Sequence, residues 1–115
     1  MTLCNINHME KVEDGKKYEA DEYTLGKHYT VVRNITRYPD GDKLTRISVN
    51  LSYEDRHNNY FPEIYYEDDF FGEYKPEFKI QTTAYGAMNP KEIKKVIAGY
   101  QEAMEAVEIL NKNFC

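Results

Sequence analysis

Carboxylates and phenol rings are concentrated in one stretch of this 115-residue chain. Residues 60–78, YFPEIYYEDDFFGEYKPEF, hold the acids Glu63, Glu67, Asp68, Asp69, Glu73 and Glu77 against one base, Lys75. Among them stand Tyr60, Phe61, Tyr65, Tyr66, Phe70, Phe71, Tyr74 and Phe78, half the aromatic residues of a chain with eleven tyrosines, five phenylalanines and no tryptophan. Widening the window to 54–78 gives eight acids and two bases, Arg56 and Lys75, a balance of −6 where the whole chain carries −5. The net negative charge therefore belongs to one segment. Carboxylates spaced along a strand and its loop imitate the phosphates of a nucleic acid; they are steered toward a basic groove and weakened by salt. The same run also serves as a solvated face that keeps a protein soluble. Tyrosine gives a contact large area at low entropic cost, with a hydroxyl to direct it. Neighbouring residues of a strand face opposite ways, so Tyr65-Tyr66 must turn one ring outward if a strand carries them.

Other chemistries find less support. Glu67-Asp68-Asp69 offers the oxygen ligands that Mg²⁺ or Ca²⁺ takes, but the alternating ligand positions and fixed glycine of a calcium loop are absent, and the run reads as solvated loop. Asp40 and Asp42 flank a glycine and read as turn residues. His8, His28 and His57 lie far apart, and neither HExxH nor GxSxG nor a phosphate-loop pattern occurs. Ser48 and Ser52 fall in a strand pattern without a nucleophile elbow. The expectation is a non-enzymatic protein with no cofactor and no metal, although a nucleophile and base assembled only by the fold would leave no such pattern.

Composition narrows the setting. One domain of this length holds a single modest core, and with few aliphatic residues that core must be partly aromatic. A charge of −5 disfavours general nucleic-acid binding, which needs lysine and arginine to displace counterions, and disfavours anionic lipid equally. No basic-then-apolar leader and no apolar run of transmembrane length is present. Cys4 and Cys115, with no CxxC spacing, fit two free thiols in a reducing cytosol better than a terminal disulfide. The reading is cytoplasmic.

The positioning elements follow from periodicity. Residues 9–12 and 17–23 flank Glu13-Asp14-Gly15 and suggest a short edge hairpin within the poorly patterned segment 1–26. Strands over 27–37 and 43–53 surround Tyr38-Pro39-Asp40-Gly41-Asp42, where Pro presets φ and Gly takes the left-handed position. A three-residue loop closed by a bulge at Gly41 sets Tyr29, Val31, Arg33 and Ile35 opposite Leu51, Val49, Ile47 and Thr45. That face is largely apolar, with Arg33 as the misfit that must reach an acid at the sheet margin; the opposite face is polar. Residues 54–59 read as a loop, 60–66 as a strand with Pro62 at an edge or bulge, 67–73 as a connection turning at Gly72, and 77–85 as a further strand. Phe61 and Ile64 of the first of these strands and Phe78 and Ile80 of the second are core candidates. Asn89-Pro90-Lys91-Glu92 carries a capping box with proline at the first helical position, opening a helix to about Asn111. Its stripe of Ile93, Val96, Ile97, Tyr100, Ala103, Met104, Val107 and Leu110 should pack on the sheet, with Gly99, Ala103 and Ala106 along one margin. The fold class is α+β: an antiparallel sheet of about four strands packed against one long C-terminal helix.

An acidic antiparallel sheet, a C-terminal helix and no catalytic motif together resemble the small phage and mobile-element inhibitors of host defence nucleases, the anti-CRISPR proteins. The resemblance is one of size, charge and architecture, with no family motif to carry residues over. It implies a protein that blocks the DNA-binding surface of a CRISPR effector by presenting acids. The contact set is then Glu63, Tyr65, Tyr66, Glu67, Asp68, Asp69, Phe70, Phe71, Glu73 and Glu77. The partner would be a protein with a basic nucleic-acid-binding surface, without direct nucleic-acid or membrane contact. The alternatives are a structural or self-associating module, in which the same tyrosines join a homodimer, and a small-ligand or enzymatic domain.

Overall fold

The computed structural model describes residues 1–58, 60–67, 76–83 and 85–115, with only the backbone of 57 and 58. Strands β1 (Leu3–Glu13), β2 (Lys16–Leu25), β3 (Tyr29–Arg37) and β4 (Lys43–Leu51) form one antiparallel sheet in the order β1-β2-β3-β4. Helix α1 (Tyr53–Asn58) follows, then β5 (Glu63–Glu67) and β6 (Glu77–Gln81) pair as a second antiparallel sheet, and α2 (Pro90–Phe114) closes the chain. The α+β class holds. The four strands of the main sheet, however, include the N-terminal pair and exclude the strands expected over 60–66 and 77–85, which are found as Glu63–Glu67 and Glu77–Gln81 in a sheet of their own.

Local chemistry explains each element. Asp14 and Gly15 both take positive φ, 53° and 77°, and Glu13 pairs with Lys16. This two-residue turn of left-handed residues matches the twist of a hairpin, so β1 and β2 run far beyond the short pair expected. The β3–β4 register is the anticipated one, Tyr29 opposite Leu51 through Arg37 opposite Lys43. Gly41 at φ 95° donates to the Tyr38 carbonyl at 3.0 Å, and Tyr38 N–H donates to the Asp42 carbonyl at 2.9 Å. Residues 53–58 are helical where a loop was expected. Ser52 caps them: its Oγ accepts from Asp55 N–H at 3.4 Å, its carbonyl accepts from Arg56 N–H at 3.1 Å, and Glu54 and Asp55 place acid in the first turn. Asn89 caps α2 as anticipated, with Glu92 N–H donating to its side chain at 2.9 Å and Asn89 N–H donating to Glu92 Oε1 at 3.4 Å.

Helix α2 ends at Phe114 and is rotated from the expected stripe. Its buried residues are Gly99, Ala103, Ala106 and Leu110, while Ile93, Ile97 and Met104 are 45, 53 and 56% exposed. The small residues, anticipated as a margin, form the centre of the contact, and Gly99 among them lets the helix backbone approach the chain at Tyr60–Phe61. The core joins Leu25, Tyr29, Val31 and Leu51 of the sheet to Ile64 and Phe78 of the second hairpin and Ala103, Ala106 and Leu110 of the helix.

This core underlies only part of the sheet. Residues paired across strands share a face, so one face reads as rows: Leu3, Leu25, Tyr29, Leu51; then Asn5, Tyr23, Val31, Val49; then His8, Asp21, Arg33, Ile47; then Glu10, Glu19, Ile35, Thr45; then Val12, Lys17, Arg37, Lys43. The first two rows are mostly apolar, and the rest mostly charged. The boundary is marked by Phe114, edge-on to Tyr23 at 5.3 Å with the Arg33 guanidinium 5.3 Å over its ring. The molecule is correspondingly long, 56 × 33 × 22 Å, and its radius of gyration of 16.6 Å exceeds the about 13 Å expected of a compact chain this size.

Candidate functional site

The β5–β6 hairpin displays part of the acidic and aromatic segment. Its register sets Glu63 opposite Gln81, Ile64 opposite Ile80, Tyr65 opposite Lys79, Tyr66 opposite Phe78 and Glu67 opposite Glu77. Alternation divides these into two faces. Ile64 and Phe78 are buried in the core, and Tyr66 leans on Phe78 with ring centroids 5.0 Å apart. Phe78 N–H donates to Asn111 Oδ1 at 2.9 Å, tying the hairpin to α2. The other face carries Glu63, Tyr65, Glu67, Lys79, Glu77 and Gln81, with Tyr65 43% exposed. Glu67 and Glu77 would repel across the strands, and Lys79 stands between them, paired with Glu67 and 3.7 Å from Glu77. Its pKa is raised, first by the Glu67 hydrogen bond.

Of the expected contact set, Glu63, Tyr65, Glu67 and Glu77 thus share one exposed face. Tyr66 turns inward and is half-buried, a packing residue and not a surface anchor. Asp68, Asp69, Phe70, Phe71 and Glu73 lie outside the described residues.

A second cluster escaped sequence reasoning because its members are distant in the chain. His28 Nδ1 lies 2.7 Å from Asp55 Oδ2, its Nε2 lies 3.4 Å from Glu102 Oε2, and its ring stacks on Phe61 at 4.0 Å. Ser52 Oγ donates to the same Asp55 oxygen, and Asp55, 7% exposed, is the buried charge among the described residues. Histidine, aspartate and serine together invite comparison with a catalytic triad. The order differs from one: the serine hydroxyl bonds to the carboxylate, and the imidazole's far nitrogen faces a second carboxylate instead of the serine, so the imidazole is not placed to activate the hydroxyl. The cluster is a clamp joining the β2–β3 turn, α1 and α2. Its legible part was Ser52-x-x-Asp55, a capping pattern. Nearby, Tyr29 Oη donates to the Pro62 carbonyl at 2.9 Å, and burial, then Glu102 and Asp55, push its pKa well above the usual phenol value.

A cavity of about 120 Å³ beside the clamp is lined in part by Asp55, Arg56, Phe61, Glu63, Gln81 and Tyr85. It is smaller than the few hundred Å³ of typical ligand pockets. Arg56 is already committed there, its Nε donating to the Leu51 carbonyl at 3.1 Å. Burial, then the hydrogen bond with Tyr100, pushes the Tyr85 pKa up to about 12.

The charged rows of the main sheet form a connected network. His8 Nδ1 lies 2.6 Å from Asp21 and its Nε2 3.0 Å from Glu10; Arg33 reaches Asp21 at 3.2 Å, an acid on the inner strand β2 and not at the sheet margin. Arg37 Nε donates to Glu19 at 3.1 Å, and Lys17 lies 3.3 Å from Glu19 and 3.8 Å from Glu10. Cys4 and Cys115 are exposed and unbridged. No described helix is long and apolar enough to cross a membrane. No protein-family model, curated protein or solved structure matches the chain.

Proposed function

We propose that this chain is a non-enzymatic binding protein that lays the acidic outer face of the β5–β6 hairpin into a basic nucleic-acid-binding groove of a partner protein, with Tyr65 as an anchor. The observation that carries the reading is the grouping of Glu63, Glu67 and Glu77 around an exposed Tyr65, with Lys79 as the one base of that face among the described residues. A groove built for phosphates is lined with lysine and arginine and steers such a face toward itself. Size, acidity and architecture make a host defence nuclease of the CRISPR-effector type the first partner to test. Two exposed, unbridged thiols suit the cytoplasm where such a partner works.

The test is displacement of labelled DNA from a purified CRISPR effector nuclease by this protein, at low and high salt. The expected result is displacement that weakens at least tenfold with salt and is lost on reversing Glu63, Glu67 and Glu77 to lysine in a folded variant. Displacement unaffected by that reversal, or none at either salt, would overturn the reading for this class of partner.

A further inference from the structure

The opposite edge of the molecule carries a different surface. β5 packs beside β4 at one margin of the main sheet, while β1 forms the other margin, with β2 on one side of it. Ten of its eleven residues are exposed, and Ile6, Met9 and Val12 are 55, 62 and 73% exposed. An edge strand of this length presents unpaired backbone donors and acceptors, a template for another strand. The apolar residues along it make that template adhesive.

The side chains of β1 select the occupant. In an antiparallel pair, directly opposed residues lie on the same face, so a second copy of β1 related by a two-fold axis normal to the sheet must place one residue opposite itself. An axis at Glu10 opposes two glutamates, one at Lys11 opposes two lysines, and one at His8 opposes two imidazoles and sets Ile6 against Glu10. An axis at Asn7 leaves the charges unmatched and Val12 unpaired. An axis at Met9 opposes Met9 to Met9, His8 to Glu10 and Asn7 to Lys11, so that the exposed methionines meet and no like charges face each other. No other register does both. Lysine and a bulge commonly protect such edges; here Lys11 meets Asn7, and the bulge between Asn5 and Asn7 lies at the end of the paired zone. On the face that Met9 shares with Ala20, a groove of about 220 Å³ lined by Met9, Tyr18, Ala20 and Asn34 gives the second copy's flexible methionine an apolar seat.

We propose that β1 pairs antiparallel with β1 of a second copy of this chain about Met9, joining the two main sheets into one with both α2 helices on the same face. This surface lies at the far margin from the tyrosine-bearing hairpin, and the proposal stands apart from the function proposed above. A single strand pair is a small contact, so the association should be weak, with a dissociation constant on the order of micromolar.

Sedimentation equilibrium of the full chain carrying Cys4→Ser and Cys115→Ser tests it. The mass should rise with concentration from 13.6 kDa toward twice that value. Met9→Lys, a change at an exposed side chain, should hold it at one protomer with an unchanged melting curve, while reversal of Glu63, Glu67 and Glu77 should leave association intact. In the same background, oxidised Met9→Cys should crosslink to itself, and Asn7→Cys mixed with Lys11→Cys should crosslink more than either alone. A single protomer at all concentrations to about 1 mM, a dimer that Met9→Lys leaves unchanged, or crosslinks in another register would overturn it.

Discussion

Gly99 of α2 lies directly against the Tyr60 carbonyl. A β-carbon at Gly99 would stand 1.9 Å from that oxygen, 2.9 Å from its carbon and 3.3 Å from Phe61 Cα. All three neighbours are backbone, so no side chain can swing aside to make room. Gly99→Ala should therefore destabilise the protein by about 1–3 kcal/mol or more, although alanine is the better helix former by about 1 kcal/mol. A urea titration decides the sign; a gain in stability would mean that α2 does not sit this close to the entry of β5.

Asp55 joins the α1 cap to His28. Asp55→Ala removes the acceptor of both Ser52 Oγ and His28 Nδ1 and weakens the first turn of α1. The expected loss is about 1–3 kcal/mol in urea unfolding. Asp55→Asn, which keeps an acceptor oxygen, should lose less. Equal losses would mean that the carboxylate's charge, and not the hydrogen bonds, holds the clamp.

The network on the main sheet predicts the pH dependence of stability. Hydrogen bonding first to Asp21 and then to Glu10 raises the His8 pKa above its ordinary 6.5. A pKa raised by folding means that the folded state favours the proton, so the contribution is complete below the unfolded value and disappears as pH rises through the folded one. Glu19 is lowered from 4.5, chiefly by the Arg37 hydrogen bond. Burial pushes Asp21 up, but bonds from His8 and Arg33 outweigh it, leaving its pKa below 3.8. These two contribute above their unfolded values and lose that contribution as pH falls through the folded ones. Stability should be greatest between 4.5 and 6.5. His8→Gln should flatten the alkaline side of the profile, read from melting temperatures across the pH range. Because Asp21 also bonds His8, the acid side should shift less.

Tyr65 and Tyr66 separate surface from core. Tyr65→Ala should change stability by no more than about 0.5 kcal/mol, the usual range of surface substitutions, and should weaken any contact made by the hairpin. Tyr66→Ala removes a ring packed on Phe78 and should cost about 1–3 kcal/mol. Paired unfolding curves check both, and a larger loss at Tyr65 would contradict the alternation seen here.

What the sequence discloses of this fold is what neighbouring residues decide. Pro39-Asp40-Gly41 dictates the turn and hence the register from Tyr29 to Leu51, and Asn89 with Glu92 dictates where α2 begins. Alternation alone separates Tyr65 from Tyr66 but leaves open which ring faces out. The partnership of strands was not legible, because β5 and β6 alternate as well as β3 and β4 do and nothing local says that they form a separate sheet. β1 and β2 were barely legible, since their shared face is held by ions, which hydropathy does not register. The rotation of α2 was misjudged for a related reason: periodicity weights the large residues Ile93, Ile97 and Met104, whereas close approach selects the small ones. His28 and Asp55, twenty-seven residues apart, had no shared pattern to reveal them.

Because the apolar rows stop at Tyr23 and Phe114, the sheet divides into two parts of unequal protection. The part beneath α2 should open only with the whole protein; the part beyond Arg33, out to the turns at Asp14-Gly15 and Tyr38–Gly41, is held by backbone ladders and exposed ion pairs and should open alone. Its amides should exchange with solvent deuterium first, and a protease should cut there before the core yields. Salt screens exposed charges and leaves buried methyls nearly untouched, so ionic strength should loosen this end while the helix-covered end stays closed.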